Sequence, residues 1–256
     1  LQGDQEILVL ISTQPVLLMN ISICAATAME LSLFKQQATT AMNNPGRHRL
    51  RFVVTGIGML QSSFFIQQHL KEADVDFILQ IGIAGCFNSS VALSSVWMVD
   101  REYLGSLGVV ENREQAGLSE NATENWQDIF DLGLQVPDIA PFTDKALINR
   151  HIQQMAPLSN GEIGLATGVT VDEITTSPER MRTLFTRYGR PDYPERPLLE
   201  SMEGASLHFN ALQYNTPFVQ LRAVSNYTGQ RDKAFWDIAG AVKAVTAAGL
   251  DLICRL

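Results

Sequence analysis

Basic runs, paired cysteines and long apolar stretches are all missing from this sequence, and each absence closes off a class of function. Nineteen Lys and Arg stand against 27 Asp and Glu, giving a net charge of −8. Nucleic-acid binding needs a concentrated basic face to neutralise phosphates, so no nucleic-acid partner is expected. The three cysteines, Cys24, Cys86 and Cys254, are odd in number and far apart, and the four histidines are equally scattered. Without a C-x-x-C pair or a Cys/His cluster, no metal, redox centre or other cofactor is expected. Reduced, mostly buried cysteines fit a cytoplasmic protein.

Membrane and targeting signals are lacking too. Ile7 to Ile11 and Val16 to Met19 are apolar, but Asp4 and Glu6 precede them and Pro15 interrupts. That segment has no basic leader and is too short to span a bilayer, so no membrane partner is expected. Met19 is a candidate natural start. Residues 1–19 are therefore set apart as an N-terminal extension, and 20–256, which show no internal repeat or linker, are read as one domain.

What is present is core-forming: 46% of residues are hydrophobic and 18% charged, enough to bury a sizeable interior. Ile21 to Ala25, Arg51 to Thr55, Phe77 to Gly82, Val96 to Tyr103, Glu162 to Thr167 and Phe218 to Val224 read as strands. Helices are expected from Ala28 through Lys35, Leu60 to Glu72, Arg180 to Tyr188 and Glu203 to Tyr214. Ser177-Pro178 supplies an N-cap and a first-turn proline for the third of these. Phe235, Ile238, Val242, Val245, Gly249 and Leu252 recur at helical spacing and mark a last helix. Alternating strands and helices predict an α/β fold, a sheet covered on both faces.

Individual motifs carry little alone. Gly56-Ile57-Gly58 follows a strand, but Gln61 stands where a dinucleotide fingerprint needs its third glycine, and no Walker lysine loop exists. Gly82-Ile83-Ala84-Gly85 reads as a small-residue turn at a strand's C-terminal end, where open α/β sheets bind ligands. Glu30 and Glu203 each fall at a helix start, where an acidic residue ordinarily serves the helix dipole. Glu200 and Glu203 flanking Met202 would nonetheless make a sugar-binding edge. Arg222 to Asn226 closes an apolar run, with capping by Ser225 or Asn226 the ordinary explanation.

Their order is more specific than any one of them. Ala26-Thr27-Ala28-Met29-Glu30, Thr55-Gly56-Ile57-Gly58, Gly82-Ile83-Ala84-Gly85, Ser201-Met202-Glu203-Gly204-Ala205 and Arg222-Ala223-Val224-Ser225-Asn226, taken together, resemble the nucleoside phosphorylase and nucleosidase superfamily. Within it, Ser225 to Asp232 with Trp236 close behind is similar to the futalosine hydrolase family. The resemblance implies a three-layer αβα sandwich with a central mixed sheet, a homo-oligomer, and a small-molecule nucleoside as partner. It implies hydrolysis of futalosine, an inosine with an aryl-keto-carboxylate chain on its 5′ carbon, to release hypoxanthine in menaquinone biosynthesis.

The resemblance also implies roles. Glu30 would activate the attacking water with Arg222 nearby, Glu203 would bind the ribose hydroxyls, and Met202 would pack on the sugar. Asn226 would face the purine N7, the backbone around Val171 and Asp172 would line the base, and Ala84 and Gly85 are further candidates for substrate binding. Arg231 and Trp236 are candidates for the 5′ chain, one for its carboxylate and the other for its ring. The phosphorylase branch carries arginines where this chain has Thr27 to Glu30 and Gln80 to Ile83. A phosphate would lack charge-assisted donors there, so water is the expected nucleophile. Ile83 also replaces the small polar residue that related nucleosidases often have.

A methylthioadenosine/adenosylhomocysteine nucleosidase, a purine nucleoside phosphorylase and a non-catalytic purine-binding protein on the same fold are the competing readings. Asn226 separates the first of these. Its amide can donate to O6 of hypoxanthine and accept from N7–H, whereas an aspartate would suit an exocyclic amine. Asn226→Asp is expected to lower kcat/KM on the 6-oxopurine nucleoside about ten- to a hundredfold relative to its 6-amino counterpart. An unchanged ratio would mean that Asn226 does not read the base.

Overall fold

The computed structural model describes residues 18–41, 48–111, 125–152, 163–190 and 195–256. The apolar segments before Met19, the expected strand start at Glu162, and Pro191 and Pro194 lie outside them. β1 (Met19–Ala25), β2 (His48–Val54) and β3 (Phe77–Cys86) run parallel in the order β2-β1-β3. Helices α1 (Ala28–Ala41) and α2 (Gly58–Glu72) connect them. β4 (Val96–Leu104) follows, then a two-stranded ribbon of β5 (Gly108–Glu111) and β6 (Asn125–Asp128), and the short β7 (Phe142–Thr143) and β8 (Ala146–Ile148). The chain ends with β9 (Gly164–Thr170), α3 (Pro178–Tyr188), β10 (Leu198–Ser201), α4 (Gly204–Gln213), β11 (Phe218–Tyr227) and α5 (Ile238–Arg255).

Strand alternation sorts the core into two layers. Ile21, Ile23 and Ala25 of β1, Phe77, Leu79 and Ile81 of β3, and Val219, Leu221 and Ala223 of β11 face α1 and α5. Their neighbours Cys24, Ile78 and Phe218 face α2 and α4 on the other side. The result is the expected αβα arrangement around a mixed sheet. β11 lies parallel to β3 and antiparallel to β4, while β10 pairs with both β3 and β9, and β9 with β4. These pairings close a circuit through five strands.

Two expectations change and one element is added. Ile83-Ala84-Gly85 is not a turn but the last part of β3, because β10 and β11 both hydrogen-bond alongside it. Leu198–Ser201, too short to show a pattern in sequence, is a strand. Phe235 belongs to a separate 3-10 turn, Lys233–Phe235, since the Asp237 side chain accepts from the Gly240 amide and starts α5 after it. Ser177 does cap α3, accepting from the Arg180 amide ahead of Pro178. Among the described residues no helix is long and apolar enough to cross a membrane, and no cluster of three metal-ligating side chains occurs. Cys24 and Cys86 are buried and Cys254 is exposed. Burial pushes the Cys24 thiol up to about 12 and the Cys86 thiol to about 11.

Candidate active site

A cavity opens past the C-terminal ends of β1, β9, β10 and β11 and along the last residues of β3. Ala84, Gly85, Val171, Met202, Glu203, Asn226, Trp236 and Glu30 all line it. The fold therefore gathers residues spread over some 200 positions of chain, and it does so at the edge where α/β sheets ordinarily bind ligands.

Glu30 is held at both oxygens. Oε2 accepts from the Thr27 amide (3.1 Å) and hydroxyl (2.8 Å), while the Glu30 amide donates back to Thr27 Oγ1 at 3.3 Å. This is a capping box at the start of α1, Thr-x-x-Glu with reciprocal bonds. Oε1 accepts from the Ile83 amide at 3.3 Å, which ties the helix start to β3. The backbone at 83, not its side chain, provides this donor, so an isoleucine is tolerated there. Glu30 is 5% exposed.

Glu203 precedes the first residue of α4, and its Oε1 accepts from the Gly58 amide at 3.0 Å. Gly56 and Gly58 have φ of 80° and 84°, a region that side chains with a Cβ seldom adopt. The Gly-Ile-Gly turn therefore serves to aim one backbone N–H at Glu203 rather than to cradle a dinucleotide.

Arg222 lies mid-strand in β11, not at its end, and sits just behind the cavity wall. It is 2% exposed, donates to Gln80 Oε1 at 3.1 Å and approaches Glu203 Oε2 at 4.0 Å. Its guanidinium fills the place a Cβ on Gly82 would occupy, and Glu30 Oε1 is 3.3 Å from that same point. One buried cation thus lies close to both carboxylates.

Asn226 owes its position to a bulge. Val224 pairs with Ala84 and Asn226 with Gly85, leaving Ser225 extra, an insertion that re-aims the side chain after it. Ser225 Oγ donates to Asn226 Oδ1 (2.8 Å), and Asn226 Nδ2 donates to the Tyr227 carbonyl (3.2 Å). One amide hydrogen and one lone pair remain for a ligand. A Cβ on Gly85 would come within 3.4 Å of Asn226 Nδ2 and 3.0 Å of Thr228 Oγ1, so glycine leaves room there.

Two expected residues lie elsewhere. Asp172 is exposed and lines an adjoining hollow with Ser106, Thr175 and Arg180, which shares only Val171 and Ile174 with the main cavity. Arg231 is exposed and outside the lining, its guanidinium 5.7 Å from the centre of the Trp236 ring.

Behind the cavity lies a buried polar group that the motifs did not reveal. Glu102 on β4 accepts from Gln220 Nε2 at 3.1 Å, and Gly168 and Gly204 leave room for its carboxyl. Burial, reinforced by the Glu203 charge, raises its pKa to about 7 against hydrogen bonds from Gln220 and Thr170 and the charge of Arg222. His208 on α4, its Nδ1 3.0 Å from the Leu147 carbonyl, is pushed down to about 3, mainly by burial. The signal that could have found these residues is a polar letter inside an apolar strand, as in Phe77-Ile-Leu-Gln80 or Phe218-Val-Gln220-Leu-Arg222.

Comparison with known proteins accords with this architecture. The family model described as the phosphorylase superfamily matches residues 19–256. The chain belongs to the phosphorylase superfamily. Among curated proteins, this superfamily member is 26% identical over 206 residues to a futalosine hydrolase of Thermus thermophilus, covering 77% of this chain and 78% of that one. It is 27% identical over 177 residues to a futalosine hydrolase of Streptomyces coelicolor, covering 68% of this chain and 63% of that one. Its fold is similar to a methylthioadenosine/adenosylhomocysteine nucleosidase of Colwellia psychrerythraea bound to adenine (TM-score 0.71, 16% identity, 94% of this chain and 97% of that one). A futalosine hydrolase mutant of Helicobacter pylori is similar in fold as well (TM-score 0.70, 13% identity, 93% and 100%).

The two shifted groups give stability a pH dependence with a definite sign. Glu102 holds its proton more tightly folded (about 7) than unfolded (4.5), so its contribution falls as pH rises from the lower value through the higher. His208 acts oppositely: its folded pKa of about 3 lies below the ordinary 6.5, so stability is lost as pH falls through that window. Glu102→Gln keeps an acceptor for Gln220 and removes the charge. Its Tm relative to the parent should rise between pH 5 and pH 8, by about 2–4 °C for each kcal/mol relieved. A difference that stays constant with pH would show that Glu102 is not raised.

Proposed function

We propose that this chain hydrolyses the N-glycosidic bond of futalosine, with water as nucleophile, releasing hypoxanthine. The observation that carries hydrolysis over phosphorolysis is the charge of the cavity. Glu30, Glu200 and Glu203 line it, with no Lys or Arg among the described lining residues. Arg222, behind the wall, donates to Gln80 and to the Ile83 carbonyl and lies 4.0 Å from Glu203. A phosphate dianion would meet three carboxylates and find no charge-assisted donor. Water meets a fixed base instead. The curated relatives named futalosine hydrolase support the substrate.

In this mechanism water oxygen bonds to C1′ as the C1′–N9 bond breaks, and the bonding pair leaves with the purine. Glu30 accepts the water proton, and its two anchors hold it in place while it does so. Positive charge builds on the ribose, and Glu203, accepting from the sugar hydroxyls, stabilises it. The purine takes a proton at N7 from solvent water, balanced when Glu30 returns its proton to solvent, and the free lone pair of the Asn226 amide accepts that N–H. Met202 packs against the sugar, while Ala84, Gly85 and Val171 border the base. Trp236, with Arg231 beside its ring, is the proposed seat of the aryl-carboxylate chain.

A homo-oligomer is part of the proposal. Ile57, Leu60, Phe64 and Phe65 on and before α2 are 58%, 86%, 61% and 43% exposed, a contiguous apolar surface of the kind that a second copy covers. Ile57 of this set also lines the cavity, as does the exposed Met29.

Glu30→Gln keeps the size of the side chain and, with the amide oxygen in the Oε2 place, its bonds from Thr27, while it gives up the Ile83 bond and removes the base. It is expected to lower kcat about 10²- to 10⁴-fold with little change in KM. The parent should release hypoxanthine at the same rate with and without phosphate. Strict phosphate dependence with a sugar 1-phosphate product would contradict the assignment.

A further inference from the structure

Glu203 occupies the N-cap position of α4, yet its side chain makes no cap bond. An N-cap side chain ordinarily turns back to accept from the second or third amide of its own helix. Here other groups take the first amides. Ser201 Oγ accepts from the Gly204 amide at 3.2 Å, and the Glu203 carbonyl accepts from the Ser206 amide at 3.1 Å. Thr170 Oγ1, reaching over from β9, accepts from the Ala205 amide at 2.8 Å. Ala205 is the second residue of the helix, so Thr170 holds the very amide that a Glu203 side chain would cap. The Glu203 carboxylate is thereby released to the cavity, where the Gly58 amide meets it.

Glu102 stands behind this arrangement. It and Thr170 are both 0% exposed, and Glu102 is not among the residues lining the cavity. A buried hydroxyl that accepts from an amide still has its own hydrogen to place, and the acceptor beside Thr170 is the Glu102 carboxyl. The relay therefore runs from the Ala205 N–H through the Thr170 hydroxyl to Glu102. The carboxyl also rests on the helix start itself, since a Cβ on Gly204 would overlap Glu102 Oε1. From β11, two residues before Arg222, Gln220 Nε2 donates to that same oxygen at 3.1 Å. The positive end of a helix dipole is where a carboxyl is best placed.

We propose that Glu102 is a positioning residue for the ribose-binding carboxylate: it orients the Thr170 hydroxyl as the cap of α4 and packs on Gly204, which keeps Glu203 turned toward the sugar instead of back onto its own helix. This rests on the reading of the cavity as a nucleosidase site with Glu203 at the ribose. It gives that site a determinant on β4 that touches no substrate.

The contact to be read is between Glu203 and the sugar hydroxyls. Calorimetric titration with inosine and with 2′,3′-dideoxyinosine, which differ only in those hydroxyls, isolates it. The unsubstituted protein should bind inosine at least about tenfold tighter. Glu102→Met fills the space between Gly168 and Gly204 and removes the acceptor, and the preference for inosine should shrink about fivefold or more. Thr170→Val, nearly the same shape without the hydroxyl, should lose it likewise, whereas Thr170→Ser restores the hydroxyl and should keep it. A merely structural role would loosen the cavity and weaken both nucleosides alike, leaving their ratio where it was.

The proposal is overturned if Glu102→Met or Thr170→Val keeps the parent preference, and the Thr170 result does not depend on Glu102→Met folding. Loss of the preference in Thr170→Ser overturns it too, as does an unsubstituted protein that binds both nucleosides equally or neither. Hydrolysis of futalosine by the unsubstituted protein, assayed in parallel, separates the two claims. Turnover together with an unchanged preference in the variants removes only the role of Glu102, and a preference that shrinks as expected without turnover removes only the hydrolase assignment.

Discussion

The guanidinium of Arg222 lies over Gly82, and the rest of the site depends on that contact. A cation that is 2% exposed needs compensation on the spot. Glu30 reaches the same glycine from α1, and Glu203 comes within 4.0 Å from the start of α4. A Cβ at position 82 would occupy the space of the guanidinium. The glycine thus lets one positive charge balance carboxylates brought from opposite faces of the sheet, and it leaves the cavity lining acidic without stranding unpaired charge in the interior.

β3 then sets the dimensions. Glu30 hydrogen-bonds to the Ile83 amide, and Asn226 stands beside Gly85. Two residues along a strand span about 6.7 Å, the scale on which a water on one side of an anomeric carbon and a purine N7 on the other are separated. The same strand fixes Glu200 through its pairing with Gly85. The elements that hold these side chains are hydrogen-bonded strands and helix starts rather than long loops, so the geometry is set before any ligand arrives.

Much of this was legible in the sequence, for identifiable reasons. The αβα layers followed from apolar runs alternating with helical spacing, and Ser177-Pro178 announced α3. Glu30, Glu203 and Asn226 were picked out by the order of motifs that resembles the superfamily, since each alone reads as an ordinary helix-start or capping residue. The continuation of β3 through Gly85 could not be read, since it depends on β10 and β11 pairing with it from distant parts of the chain. β10 itself is four residues long and has no internal pattern. Glu102 and Gln220 looked like ordinary strand letters because their meaning lies in each other, 118 residues apart.

The central claim is that water, held by Glu30, attacks the anomeric carbon on the side away from the purine facing Asn226. The stereochemistry of the first-formed sugar tests that most directly. Proton NMR during rapid turnover of futalosine in phosphate-free buffer should show the α anomer of the depurinated product appearing first, with the β anomer growing later at the rate of spontaneous mutarotation. Initial formation of the β anomer, or of both together, would contradict single displacement by a Glu30-bound water.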